Sequence, residues 1–150
     1  MVRRSVRRTA LERDTYLALV RAVGEFEREA AELLRKFDLS AAQYNVLRIL
    51  RGAGPGGATC GEVGGQLLRH DPDVTRLLDR LEAAGLISRS RDTADRRVVR
   101  TRITDAALAL LDRLDAPVTE LHTRQFGHVP DATLASLRGL VEQVRARTGS

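Results

Sequence analysis

The chain has 150 residues, the size of one domain, and its 43% hydrophobic and 30% charged residues fall within the range of soluble globular proteins. No stretch approaches the roughly 18 consecutive apolar residues of a membrane span, and the start MVRRSVRR runs into Glu12, Arg13 and Asp14 without the apolar core of a secretory signal. The formal charge is +5, with 24 arginines against the single lysine Lys36, an excess that favours polyanionic partners, although a GC-rich coding sequence would give the same bias.

Thr9 with Glu12 has capping-box spacing, and Tyr16, Val20, Val23, Ala30, Leu34 and Phe37 recur behind it at helical intervals, which predicts a first helix over about 10 to 36. Leu19, Phe26 and Leu33 widen its apolar band enough to serve two contacts, one with its own domain and one with another chain. Ser40 with Gln43 opens a second helix, with Tyr44, Leu47 and Leu50 inward and Gly52 as its stop. Residues 52–59, GAGPGGAT, are too rich in glycine for a regular element and predict a turn, with room for a short strand at its end. Thr59 with Glu62 starts a short third helix carrying Val63, Leu67 and Leu68, which Gly64 and Gly65 weaken while allowing close packing.

Asp71 is placed as the N-cap of a fourth helix, with Pro72 at the first helical position and Gly85 as the left-handed stop. Val74, Leu77, Leu78 and Leu81 share the buried face, and Asp73, Thr75, Arg76, Asp79 and Arg80 share the outer one. Leu86 to Ser90 and Arg97 to Ile103 alternate at period two around the polar link RDTADR, which predicts a hairpin. Val99 and Ile103 lie on its packed face, and Arg100 and Arg102 on a face directed at solvent or phosphate. Thr104 caps a long fifth helix that Pro117 should kink, and Leu134, Leu137, Val141 and Val144 mark a sixth. The fold class is therefore mainly α with a small β wing: a winged helix-turn-helix core over about 40 to 104, flanked by helices over about 10 to 36 and 105 to 147.

A helix followed by an arginine-tipped wing is a device for reading double-stranded DNA. The first turns of the fourth helix offer Asp73, Thr75 and Arg76 to base edges, with Arg80 one turn behind and His70 placed to donate to a phosphate. The hairpin tip carries Asp92, Asp95, Arg96 and Arg97, where a carboxylate can hold an arginine extended for a narrow minor groove. Each feature has a plainer alternative: a solvated helix face, a charged hairpin that keeps a strand edge soluble, or a winged domain that docks on another protein. The N-terminal Arg3, Arg4, Arg7 and Arg8 either follow the DNA backbone or form a frayed tail.

From Asp73 to Thr104 the sequence resembles the MarR family of bacterial transcription regulators, whose wing signature is Asp-x-Arg, five residues, then an aliphatic residue and Thr. Asp95, Arg97, Ile103 and Thr104 match it position for position. The resemblance implies a homodimer whose first and last two helices intertwine, a pseudo-palindromic operator, a repressor role and release by a small-molecule effector bound near the first, second and fifth helices. One departure is the start of the recognition helix, His70, Asp71, Pro72 and Asp73, where the family often carries Ser and Thr. Two carboxylates there favour cytosine donors over phosphate, or leave Asp73 as a cap only.

Cys60 is the single cysteine, so no internal disulfide can form and a reducing cytoplasm is expected. It is read as a half-buried structural residue, with a redox-sensing thiol as the alternative. His70, His122 and His128 are too scattered for a metal site, and no nucleophile motif, phosphate loop or dinucleotide fingerprint suggests an enzyme or a cofactor.

Overall fold

The computed structural model describes residues 6–148. The first helix, α1 (Val6–Arg35), already runs through Thr9, so that residue is no cap, and the Glu12 side chain pairs with Arg8 at 3.1 Å instead of reaching back to a helix start. Asp38, at φ 56°, turns the chain out of α1. Ser40 and Gln43 form the expected reciprocal capping box of α2 (Ala41–Ala53). This helix continues past Gly52 and stops at Gly54, whose φ of 70° with ψ of −159° is an extended positive-φ conformation open essentially to glycine alone.

A 3₁₀ turn (Gly54–Gly56) leads to Ala58, which exchanges two backbone hydrogen bonds with Thr101 at 2.9 and 2.8 Å. Gly57, at φ 66°, makes this contact possible, because a Cβ there would lie 2.3 Å from the Thr101 carbonyl oxygen. Thr59 and Glu62 cap α3 (Cys60–Gln66), and Val63 is its buried residue. Leu67 is already extended and Leu68 is 88% exposed, so the helix ends before both. Gly64 packs against Val74 at the start of α4 (Val74–Ala83). Gly85, at φ 72°, then turns the chain into β1 (Ile87–Arg91), which pairs antiparallel with β2 (Val99–Ile103) in the register Ile87 to Ile103 and Arg91 to Val99. The strands are shorter than the alternation predicts: Leu86 precedes β1, and Arg97 and Val98 belong to the connecting loop.

Thr104 caps α5 (Asp105–Phe126) by accepting from the Ala107 N–H, while its hydroxyl donates to the Gly85 carbonyl at 2.8 Å and joins the hairpin's exit to its entrance. Pro117 lies inside α5, which remains one continuous helix, and α6 (Asp131–Thr148) follows.

Val46, Leu47 and Leu50 of α2, Val63 of α3, Leu78 and Leu81 of α4, and Leu111 and Leu114 of α5 form the fully buried core. Each contributes roughly 1.5–3 kcal/mol by leaving water. From α1 only the last turn joins them, through Leu34. Tyr16, Leu19, Val20 and Val23 of α1 remain exposed at i, i+3, i+4 and i+7, as do Leu137, Leu140, Val141 and Val144 of α6. Two apolar stripes of identical spacing are therefore left outside the core of the single chain. α1 and α5 also meet through Phe26 and Phe126, with ring centroids 5.1 Å apart, and through Gln125, which donates to Glu29 at 3.0 Å. Arg51 of α2 forks onto Asp115 of α5 with two hydrogen bonds of 2.9 Å, and that contact holds the Asp115 carboxyl below the usual carboxylate range.

Candidate nucleic-acid interface

Cap chemistry sets where α4 begins. Asp71 was expected to cap it, but the Asp71 carboxylate accepts from the Asp73 N–H at 2.8 Å, a local turn that leaves Pro72 outside the helix. Asp73 is the N-cap, accepting from the Arg76 N–H at 3.0 Å, and the helix starts two residues later than the proline suggests. Leu77, Leu78 and Leu81 face the core, while Thr75, Arg76, Asp79 and Arg80 project outward. His70 is exposed in the preceding turn, which Asn45 steadies by accepting from the Leu68 N–H at 2.8 Å. In the same turn Arg69 pairs with Glu27 of α1.

The hairpin tip is held by backbone hydrogen bonds and one arginine side chain. The Asp92 N–H donates to the Val98 carbonyl at 2.8 Å, the Val98 N–H to the Asp95 carbonyl at 3.0 Å, and the Arg91 guanidinium to the Arg96 carbonyl at 2.8 Å. Asp95 was expected to pair with an arginine side chain, but its carboxylate accepts from the Arg97 backbone N–H at 2.9 Å. It shapes the turn that presents Arg97 and leaves the guanidinium without an ion pair among the described residues.

Arg100 and Arg102 also depart from expectation, because neither offers its guanidinium to solvent or phosphate alone. Arg100 donates to Asp92 at 3.2 Å and lies 3.6 Å from Glu62 of α3. Arg102 donates to the Pro55 carbonyl at 3.1 Å and to the Ser90 hydroxyl at 2.8 Å. Asp92 and Glu62 both titrate below the usual carboxylate range. The leading causes are the hydrogen bond from the Ala94 N–H for Asp92 and that from the Thr59 N–H for Glu62, with Arg100 adding to each.

Arg89 in the middle of β1 binds two carboxylates of α4. Its backbone N–H donates to Glu82 Oε1 at 3.0 Å, its Nε to Oε2 at 3.0 Å, and its Nη2 to both Oε2 and Asp79. The hydrogen bonds from Arg89 hold the Glu82 carboxyl below its ordinary range, and the guanidinium is raised in turn. Sequence reasoning passed over Arg89; Asp79 and Glu82 three residues apart on an otherwise basic reading element were the available signal.

Against these committed arginines stand four others. Arg76 and Arg80 on α4, and Arg96 and Arg97 at the hairpin tip, are exposed and make no ion pair among the described residues. Arg3 and Arg4 lie outside the described residues. Cys60 is exposed, not half-buried as the sequence suggested, with its Sγ 3.8 Å from the Thr75 hydroxyl. His122 contacts Gln125 at 3.1 Å, and no His/Cys/Asp/Glu cluster among the described residues could hold a metal. No described helix is long and apolar enough to cross a membrane. A groove of about 760 Å³ runs between α1 and α5, lined by Phe26, Glu29, Leu33, Leu121 and Arg124 among others, with no residue of α2.

Residues 39–99 match the family model described as "MarR family". A MarR transcription factor of Planctomyces limnophilus is 40% identical in its crystal structure, superposes with a TM-score of 0.69, and aligns over 87% of this chain and 95% of that one. The transcriptional repressor IacR of Pseudomonas putida is 27% identical over 84% of this chain and 74% of its own length. CouR of Rhodococcus jostii RHA1, solved with p-coumaroyl-CoA bound, is 27% identical with a TM-score of 0.77, over 89% of this chain and 93% of that one.

Proposed function

The chain belongs to the MarR family of transcription regulators, DNA-binding proteins and not enzymes, and from that premise we propose that it is a repressor that binds a pseudo-palindromic operator as a homodimer in the cytoplasm. α4 enters the major groove, where Arg76 and Arg80 read guanine edges, the Thr75 methyl touches thymine, and the free oxygen of Asp73 accepts from cytosine N4. His70 donates to a phosphate ahead of the helix. Arg96 and Arg97, held out by the turn that Asp95 shapes, enter the adjoining minor groove. The observation that carries this reading is the division of the arginines: those along the strands of the hairpin are bound to carboxylates and carbonyls, and the four that point outward make no ion pair among the described residues. A winged module that only docked on protein would not need four outward-pointing cations on its two reading elements.

The two exposed stripes of α1 and α6 supply the dimer contact, and α1, α5 and α6 act as the dimerisation helices. A small effector bound between these helices and the reading core releases the operator by changing the separation of the reading heads. That separation is about 34 Å for half-sites one helical turn apart. CouR, crystallised with p-coumaroyl-CoA, and IacR, a repressor, support this direction.

A gel shift on the gene's own upstream region tests the assignment. Arg97→Ala should weaken binding to every duplex alike, and Arg76→Ala should change the preference among duplexes. Equal losses on all sequences for both variants would contradict the assigned roles. Absence of any salt-sensitive shift would favour the protein-docking alternative.

A further inference from the structure

We infer that Arg89 is a positioning residue that locks the wing to the recognition helix, so that the two readers meet a duplex as one rigid unit; the inference rests on the duplex-binding reading above. A two-stranded hairpin has little stability of its own, and here its two strands are five residues each. At about 3.4 Å per residue the tip stands roughly 17 Å from the hinge after α4. By that lever, a tilt of about ten degrees at the base carries Arg96 and Arg97 some 3 Å, about the length of a whole hydrogen bond.

Arg89 opposes that tilt from the third position of β1, paired with Thr101, which is 1% exposed and bonded to Ala58. Its contacts span one turn of α4, from Asp79 to Glu82, so they fix direction as well as distance. Both oxygens of Glu82 are taken by this single residue, one by its backbone N–H and one by its guanidinium. Only a planar fork can do this; an ammonium could reach one carboxylate but not hold the angle. The charge of Arg89 is spent on two acids, and its side chain is 24% exposed, so it is not itself a phosphate reader. It also neutralises acids that would otherwise face the phosphates from the reading helix.

The test is a double-mutant cycle on a duplex selected from a random pool by the wild-type protein. Arg97→Ala in the wild-type background should weaken binding about ten- to a hundredfold, the range of one charge-assisted hydrogen bond. In an Arg89→Ala background, where the tip no longer sits in the groove, the same substitution should cost less than about threefold. Glu82→Gln, which loosens the clamp from the helix side and keeps the side chain's shape, should shrink the loss in the same way and serves if Arg89→Ala folds poorly. Arg76→Ala should keep its full effect in both backgrounds, which a general loss of folded protein would not spare selectively. Full additivity of Arg97→Ala with both clamp variants overturns the role of Arg89 and leaves the duplex reading standing. Failure of the wild-type protein to select any duplex, or a neutral Arg97→Ala, overturns the duplex reading and the inference with it.

Discussion

Removing side chains from the outer stripe of α6 should dissociate the protein without unfolding it. Leu140 and Val144 are 59% and 61% exposed in the single chain. Truncating both to alanine removes three and two carbons. At about 0.8 kcal/mol per buried carbon, with roughly three-fifths of each side chain newly covered on association, the loss is about 2.4 kcal/mol per chain. Two chains double this to an upper bound of about 5 kcal/mol, so a weakening of the dimer by about a thousandfold is expected. Alanine is the best helix former, so helix content measured by circular dichroism should hold. Sedimentation velocity over a dilution series reads the result. A wild-type chain that is dimeric at micromolar concentration, beside a Leu140→Ala, Val144→Ala variant that is monomeric there, supports the stripe as the interface. A variant that stays dimeric to the same dilution as the wild type would refute the assignment of α6, and a monomeric wild type would refute the dimer.

Acid should weaken the fold through the paired carboxylates. Asp115, Glu82, Asp92 and Glu62 are depressed in the folded protein, so their contribution is complete above the unfolded value near pH 4 and lost as pH falls through the lower folded values. Asp115→Asn should therefore lower the unfolding midpoint at pH 7 and make its decline below about pH 4 shallower; parallel pH curves for the two proteins would contradict the Arg51–Asp115 contact. Gly57→Ala combines a left-handed φ of 66° with a Cβ 2.3 Å from the Thr101 carbonyl oxygen. It should cost about 2 kcal/mol or more and lower the midpoint by some 4–8 °C in a thermal melt; an unchanged midpoint would show that the Ala58–Thr101 bridge is dispensable.

What the sequence made legible were signals that are complete within a few residues. The capping boxes at Ser40 and Thr59, the inward leucines of α4, and the stop at Gly85 all recur in the structure because each partner lies within a turn of its mate. The same local reasoning misplaced Thr9, since capping-box spacing does not say whether a helix is already running. It chose Asp71 over Asp73 because two acids flanking Pro72 offer the same chemistry, and only the turn that Asp71 makes with the Asp73 N–H separates them. Strand alternation put Val99 on the packed face, where it is 45% exposed, and put Arg100 and Arg102 on the outer face without their destinations, where both are half-buried. Arg102 ends on a carbonyl 47 residues away, a partner that no periodicity encodes. Arg89 was missed for a similar reason: its role depends on how the hairpin folds back over α4, which is a property of packing.

Whether two chains grip one duplex is measured most directly by hydroxyl-radical footprinting on a selected operator, with the chains per duplex counted by light scattering at saturation. Two chains are expected, protecting two half-sites whose centres lie about one helical turn, some 10 base pairs, apart on one face of the DNA, with added minor-groove protection where the arginine tips enter. A single chain protecting one half-site, or full occupancy without minor-groove protection, would contradict it.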